Sequence, residues 1–300
     1  MSGPSSIEWT EHTWNPVRGC SRVSPGCEHC YAERFESRGL TSQRSPTTGE
    51  AFAIFRPGGP HWTGRVELIP EMLNVPLKRK KPTMYFVNSM SDLFHEKLTA
   101  KEIYRVFAVM EQASWHTFQI LTKRAALMLE VMREIYGSAN MGYVLPNVWL
   151  GVSVENQKYA DERIPLLLQT PAAVRFISAE PLLGPIDFKR LKMGNDLRLV
   201  NLDWVIVGGE SGPRARPCDI AWIRSIRDQC KAANVPCFVK QLGSHIVASG
   251  NTCFGWPINE VSGLWSDCRV DPPRIHVPNK KGGKMEEWPE DLRVREIPRK

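Results

Sequence analysis

From about residue 83 onward the chain repeats one pattern: a short apolar run, a polar end, then a longer segment with apolar positions three and four residues apart. The short runs are Thr83-Met-Tyr-Phe-Val-Asn88, Thr117-Phe-Gln-Ile-Leu121, Asn147 to Val154, Val174 to Ser178 and Leu202 to Val207; Val235 to Val239 extends the series. Runs this short and apolar on both sides read as buried strands of a parallel sheet, with the amphipathic segments as helical crossovers. Helices are predicted from Thr99 to about Ala113, from Ala125 to Ile135, up to about Gln169, and from about Asp219 to Ala233. Thr99 with Glu102 three residues later reads as a capping box. Ile7 to Thr13 supplies a short first strand, and Tyr31 to Arg38 suits a helix. Leu182 to Asn201 lacks a strong helical pattern, and beyond Gly243 the rhythm stops. The fold class predicted is α/β: a partial (β/α)6 barrel of TIM type over residues 1–243, with room for a seventh strand. It carries an N-terminal cysteine loop and a long irregular insertion at about 40–64, whose Phe52, Ile54, Phe55 and Trp62 predict packing on the body. An irregular C-terminal appendage at 244–300, containing Trp256, Trp265 and Trp288, is expected to pack on the barrel.

One stretch stands outside this rhythm. Between the first strand and the helix at Tyr31 runs Trp14-Asn-Pro-Val-Arg-Gly-Cys20-Ser-Arg-Val-Ser-Pro-Gly-Cys27-Glu-His-Cys30. Pro16, Gly19, Pro25 and Gly26 mark it as loop. Its spacing, Cys-x6-Cys-x2-Cys, puts three thiols where they can converge on one metal centre. Three readings are open from spacing alone. A structural zinc ion would use the Cys27-x2-Cys30 half-site and Cys20, with His12 or His29 as the fourth ligand. A [4Fe–4S] cluster would use the three cysteines and leave one iron open. The thiols could also be unrelated. The chain has 8 cysteines; Cys218, Cys230, Cys237, Cys253 and Cys268 are scattered singly, and Cys230 and Cys237 lie in apolar stretches as buried small residues.

Composition narrows the setting. The 300 residues are 42% hydrophobic and 24% charged, as in ordinary globular proteins. No apolar run is long enough for a membrane span, and the N-terminus lacks the basic and apolar regions of a secretory signal, so the expected location is cytoplasmic, without a membrane partner. In that compartment a tight cysteine group reads as a metal or redox site rather than a disulfide framework. The net charge of +7 favours anionic partners such as nucleic acid, with Lys78 to Lys81 and Lys280, Lys281 and Lys284 as basic clusters.

In parallel α/β folds, function collects at the carboxyl ends of the strands. Here those ends carry Asn88, Ser89 and Asp92; Thr122, Lys123 and Arg124; Glu155 and Asn156; Glu180; Glu210 and Ser211; and Lys240 and Gln241. Any one of these reads as a turn residue, but together they predict a polar ligand site beside the cysteine loop. Gly208-Gly-Glu-Ser-Gly212 lacks the spacing of a nucleotide-binding loop.

A cysteine loop after the first strand of a partial barrel resembles the radical S-adenosylmethionine superfamily. The first gap is longer than in the common Cys-x3-Cys-x2-Cys, and His29 stands where an aromatic residue usually precedes the third cysteine. The whole chain also resembles a family of phage-associated three-cysteine-motif proteins of unknown function, often encoded beside a partner gene. The matching stretches are Trp14-Asn-Pro to Cys20, Ser24 to Ala32, Asn88 to His95, Leu121 to Arg124, Gly151 to Asn156, Ser178 to Leu182, Gly208 to Ser211 and Glu287 to Arg293. This resemblance implies a barrel distantly similar to spore photoproduct lyase. It implies a cluster on Cys20, Cys27 and Cys30, S-adenosyl-L-methionine at the open iron, an external electron donor and a partner protein encoded nearby. By their place after the second strand, Ser89 and Asp92 are candidates for the methionine end of that cofactor; Glu155 and Asn156, after the fourth, are candidates for its ribose. Glu180, Glu210 and Lys240 are candidates for proton transfer, and Lys123 and Arg124 for substrate contact. The expected activity is repair or modification of a nucleic acid or nucleotide. The alternative is a zinc-stabilised nucleic-acid-binding protein without catalysis.

Overall fold

The structure, a computed structural model, describes residues 3–39, 44–136, 144–191, 201–249, 265–267 and 274–298, with the backbone alone for 265–267. Cys253, Cys268 and Trp256 lie outside the described residues. The architecture is mixed α/β with mostly parallel strands, which is what the expected partial barrel and the structure share. The chain forms two compact units, one of Met1–Val152 with Leu166–Arg175, the other of Ser153–Pro165 with Phe176–Lys300.

In the first unit, β1 (His12–Trp14) pairs in parallel with β2 (Met84–Val87), β2 with β3 (Thr117–Thr122), and β3 with β4 (Val148–Ser153). Gly3–Pro4 adds a short antiparallel edge to β1. The first strand therefore starts at His12 rather than Ile7. The preceding residues make a turn closed by Thr10 N–H on the Ile7 carbonyl, which lets Trp9 bury its ring against Phe86. β4 is buried at every position, as expected for a strand covered on both faces. Trp14, Tyr85 and Phe118 stack through the core, with Trp14 and Phe118 centroids 5.6 Å apart. Helix α1 is Tyr31–Ser37, α2 Ala100–Gln112 and α3 Ala125–Tyr136. The capping box of α2 is formed: Thr99 Oγ1 accepts from Glu102 N–H, and Glu102 Oε2 accepts from Thr99 N–H at 2.8 Å.

Part of the insertion expected to be irregular is a β-hairpin. Ala53–Arg56 pairs antiparallel with Gly59–Trp62 across Pro57 and Gly58. Proline then glycine is turn chemistry, and Gly58 takes φ +99°. The hairpin packs on α1, which explains why a segment rich in turn residues also carries aromatic ones.

In the second unit, β5 (Val174–Ala179) pairs in parallel with β6 (Trp204–Gly208), and β6 with β7 (Cys237–Gln241). Helix α4 is Gln157–Gln169, of which the part up to Pro165 belongs to this unit, and α5 is Ile220–Ala233, capped by Asp219 and ended by Asn234 at φ +55°. Cys230 and Cys237 are buried, as their apolar surroundings predict. The segment after Gly243 is more regular than expected: Cys218–Asp219, Ile246–Val247, Arg274–His276 and Trp265–Asp267 make a small sheet. The end of the chain runs beside β7, where Val239 N–H donates to the Val294 carbonyl and Cys237 and Glu296 exchange hydrogen bonds.

Candidate metal centre

The cysteine loop is positioned by backbone constraints on both sides. Val17–Arg18 pairs with Glu67–Leu68, and Gly19 follows at φ +82°. A Cβ at Gly19 would lie 1.9 Å from the Arg65 carbonyl oxygen, so only glycine fits there. Asn88, left-handed at φ +57°, turns the chain after β2 and accepts a hydrogen bond from Val17 N–H through Oδ1. The loop after β1 and the polar turn after β2 are thereby tied together at the same end of two parallel strands. A 3-10 turn at Pro25–Cys27 leads to Cys30, which precedes α1.

All three loop cysteines are free thiols with partial exposure. They share one electrostatic neighbourhood. Burial pushes the Cys20 thiol up to about 12; Asp92 adds to this, Arg124 opposes it, and Cys30 and Cys27 each add a smaller push. Burial also raises Cys30, with the backbone N–H of Glu33 working the other way. Cys20 and Cys30 are therefore held as neutral thiols, and a bound metal would have to displace their protons.

Arg124 is the hub that fixes the loop. Its Nη1 donates to Asp92 Oδ2 at 3.0 Å and lies 4.0 Å from Cys20 Sγ. Its Nε donates to Glu96 Oε2 at 2.8 Å and its Nη2 to Ser21 Oγ at 2.7 Å. Asp92 also accepts from the Thr122 hydroxyl at 2.7 Å and from Lys123 N–H. His95 completes the frame. Its Nδ1 accepts from Lys97 N–H, so its proton sits on Nε2, which donates to Ser21 Oγ at 2.9 Å. Burial and then Arg124 lower the His95 pKa, consistent with a neutral ring.

A second wall stands on the other side of the loop. Arg22 grips Glu33 through Nε and Nη2, the latter at 2.7 Å, and Glu33 also accepts from Trp62 N–H at 2.8 Å. Glu33 is itself buried. Arg18 is fully buried with no hydrogen bond on its guanidinium nitrogens and Glu36 at 3.9 Å. The Tyr31 hydroxyl donates to the Ser89 carbonyl, and Ser89 Oγ donates to Asn15 Oδ1 at 3.1 Å.

The residues expected to act together fall into two sets, one in each unit. The first holds Cys20, Cys27, Cys30, Ser89, Asp92, Lys123 and Arg124. The second holds the rest. There Lys240 Nζ meets Glu180 Oε1 at 2.8 Å, and Gln241 donates to the same oxygen and to the Gly209 carbonyl. Arg216 grips Glu210 with Nη2 at 2.6 Å from Oε1. Glu155 is fully buried, paired with Arg163 Nη1 at 3.1 Å. Asn156 Oδ1 accepts from Tyr159 N–H at the start of α4. The Gly208–Gly212 stretch serves close packing: a Cβ at Gly209 would lie 2.2 Å from the Leu242 carbonyl oxygen. His12, one of the two imidazoles near the motif in sequence, lies on β1 beside the Tyr85 ring. Among the described residues, no three His, Cys, Asp or Glu side chains are gathered closely enough to hold a metal ion as placed. Sequence reasoning did not single out Ser21, Arg22, Glu33, His95 or Glu96 as members of the site. The stretch from Asn88 to His95 was the available signal for His95.

The fold and the site define an α/β protein with parallel strands and a three-cysteine loop framed by an arginine, two acids and a histidine. The chain belongs to the family described as "Protein of unknown function (DUF5131)", whose family model matches residues 4–287. Nothing among the curated proteins matches this chain. Among solved structures, one similar chain is described as "Spore photoproduct lyase complexed with dinucleoside spore photoproduct". It is 9% identical at a TM-score of 0.38, covering 93% of this chain and 72% of that one.

Proposed function

We propose that this protein is a radical S-adenosylmethionine enzyme that modifies or repairs a nucleic acid, with Cys20, Cys27 and Cys30 holding a [4Fe–4S] cluster. The observation that carries this reading is the set of three free, mutually influencing thiols on one loop after the first parallel strand. The donor set fits: three soft sulfur ligands on one loop suit an iron–sulfur cluster with one iron left open. Arg124 fits as well, because a cation 4.0 Å from Cys20 Sγ favours the thiolate that a ligand must become. When bound, such a cluster supplies the electron that cleaves the sulfonium of S-adenosyl-L-methionine at its open iron. The chain's own residues then have assignable roles. Arg124, Asp92 and His95 hold the loop in place, with Ser89 and Asp92 as candidates for the methionine end; Asn156 accepts from Tyr159 N–H at the start of α4. Glu155 is engaged by Arg163, so its part is to brace that segment. Glu180 with Lys240 forms a carboxylate–ammonium pair suited to proton transfer, and Glu210 is held by Arg216 in a separate pair. The charge of +7 favours a polyanionic substrate.

Anaerobic reconstitution with iron and sulfide tests the proposal. The expected result is matched iron and sulfide, visible thiolate-to-iron absorption, and 5′-deoxyadenosine when reductant and S-adenosyl-L-methionine are added. Cys20→Ala, Cys27→Ala and Cys30→Ala should each abolish cluster binding, whereas Cys253→Ala should not. Stoichiometric zinc with no reconstitutable cluster would overturn the enzyme in favour of a zinc-stabilised binding protein. Equal losses in all four variants would reject the ligand assignment.

A further inference from the structure

The face built by the cysteine loop, α1 and the hairpin carries two features that the cluster reading leaves unused. The first is a cleft of about 300 Å³ lined by Ser21, Arg22, Glu33, Arg56, His61 and Trp62. Its one carboxylate, Glu33, is balanced by Arg22 and accepts from Trp62 N–H, so the cleft holds no open acid and Arg56 is its unbalanced cation. Arg56 is exposed and makes no ion pair among the described residues. The second is a group of exposed apolar side chains. Val23, Tyr31, Phe35 and Phe55 are exposed on this face, and among the described residues only Tyr104 and Ile297 are comparable elsewhere. Phe55 is 64% exposed, a costly placement for a phenyl ring with no partner. Tyr31 and Phe35 stand at i and i+4 on one exposed side of α1, and exposed Arg38 follows at its C-terminal cap.

We infer that this face binds a single strand of nucleic acid, with a backbone phosphate in the Arg22–Arg56 cleft and bases stacked on Phe35, Phe55 and Tyr31. Aromatic rings interleaved with arginines answer both halves of a nucleotide: the rings take the flat bases and the guanidiniums take the phosphates. A duplex keeps its bases stacked internally and cannot use the rings. Acidic protein surfaces would satisfy the arginines but leave the separated rings unmatched. Ser21 and Arg22 follow Cys20 directly, so a strand in the cleft is held against the cysteine loop. The choice of nucleic acid rests on the functional reading above.

The test uses the full chain, both as purified without a cluster and after reconstitution, with labelled single-stranded DNA and RNA oligonucleotides and a duplex of the same sequence, followed by fluorescence anisotropy. Single strands should bind more tightly than duplex, and affinity should fall with salt. The double variant Phe35→Ala/Phe55→Ala should weaken single-strand binding by about tenfold or more. Arg56→Ala should weaken it and reduce the salt slope by about 0.7, the loss of one phosphate contact. Circular dichroism checks that these surface variants remain folded. Binding that is absent, unaffected by these substitutions, equal for duplex, or displaced as well by polyglutamate would overturn the inference, the last result pointing to an acidic protein partner. Strand binding in a protein that takes up no cluster would sink the enzyme and leave the inference standing. Cluster assembly with deoxyadenosine formation but no strand binding would do the reverse.

Discussion

Strand-end charges are held in two ways, shown by the Arg124–Asp92 cluster of the first unit and by two pairs of the second, whose Glu155–Arg163 pair is instead buried like the former. In the first, Arg124 and Asp92 are almost completely buried, and each makes several hydrogen bonds to the loops around it. In the second, the Lys240–Glu180 and Arg216–Glu210 pairs keep water access on at least one partner. A buried pair with every lone pair and proton engaged acts as a frame, because removing one member strands the other in a medium that solvates it poorly. A pair that keeps some water access can exchange partners with a ligand at smaller cost. The first cluster thus reads as scaffolding for the thiols beside it, and the second as residues able to respond to something bound.

The largest effect that can break this comparison is Arg124→Met. It leaves Asp92 buried without its cation and should cost about 3–5 kcal/mol in urea unfolding. It should also reduce iron uptake, since the loop loses its tie through Ser21. Lys240→Met should cost about 1 kcal/mol or less, because Glu180 keeps its Gln241 hydrogen bond and some solvent. Equal losses in the two variants would remove the distinction between frame and responsive pair.

A smaller effect comes from the glycines. Gly19→Ala carries a backbone penalty of about 1–3 kcal/mol for its left-handed conformation, and the new methyl must also push the Arg65 carbonyl aside. The readout is thiol labelling under native conditions: Cys20 and Cys30, held neutral by burial, should react faster once the loop is displaced. Gly209→Ala meets the Leu242 carbonyl instead and should leave that labelling unchanged. Faster labelling in Gly209→Ala would show that the loop depends on the second unit.

Much of this fold is legible in the sequence because each element announces itself locally. The capping box at Thr99, the apolar run at Val148 and the Asp219 cap lie within a few residues of what they specify. The hairpin at Ala53–Trp62 is hard to read from the sequence although Pro57 and Gly58 are strong turn residues, because its strands are only four residues each and carry no clear alternation. The three cysteines were legible as a group. Their surroundings were not, since the pairings that frame them are long-range. His95 reaches Ser21 across 74 residues and Arg124 reaches it across 103. Glu155 shows the converse. A carboxylate just past a strand end looks like a ligand contact, and only the fold reveals Arg163 eight residues later closing on it.

The smallest expected effect is in pH dependence. His12, His95 and His116, all in the first unit, have pKa values lowered from 6.5, in each case chiefly by burial. Arg124 adds to the lowering at His95 and Arg79 at His12. A histidine with a depressed folded pKa binds its proton more readily in the unfolded chain. Below about pH 6.5 the unfolded state therefore takes up more protons, and stability falls as pH drops until the folded pKa is reached. Carboxylates, which titrate near pH 4, contribute little in that window. Urea midpoints at pH 7.5, 6.5 and 5.5 should show a loss confined to the lower interval. His95→Asn should make that loss smaller, because one of the three titrating rings is gone. It should also lower stability at pH 7.5, because Ser21 loses a donor and Lys97 N–H an acceptor. An unchanged pH slope in His95→Asn would mean that the imidazole is not held neutral beside Arg124.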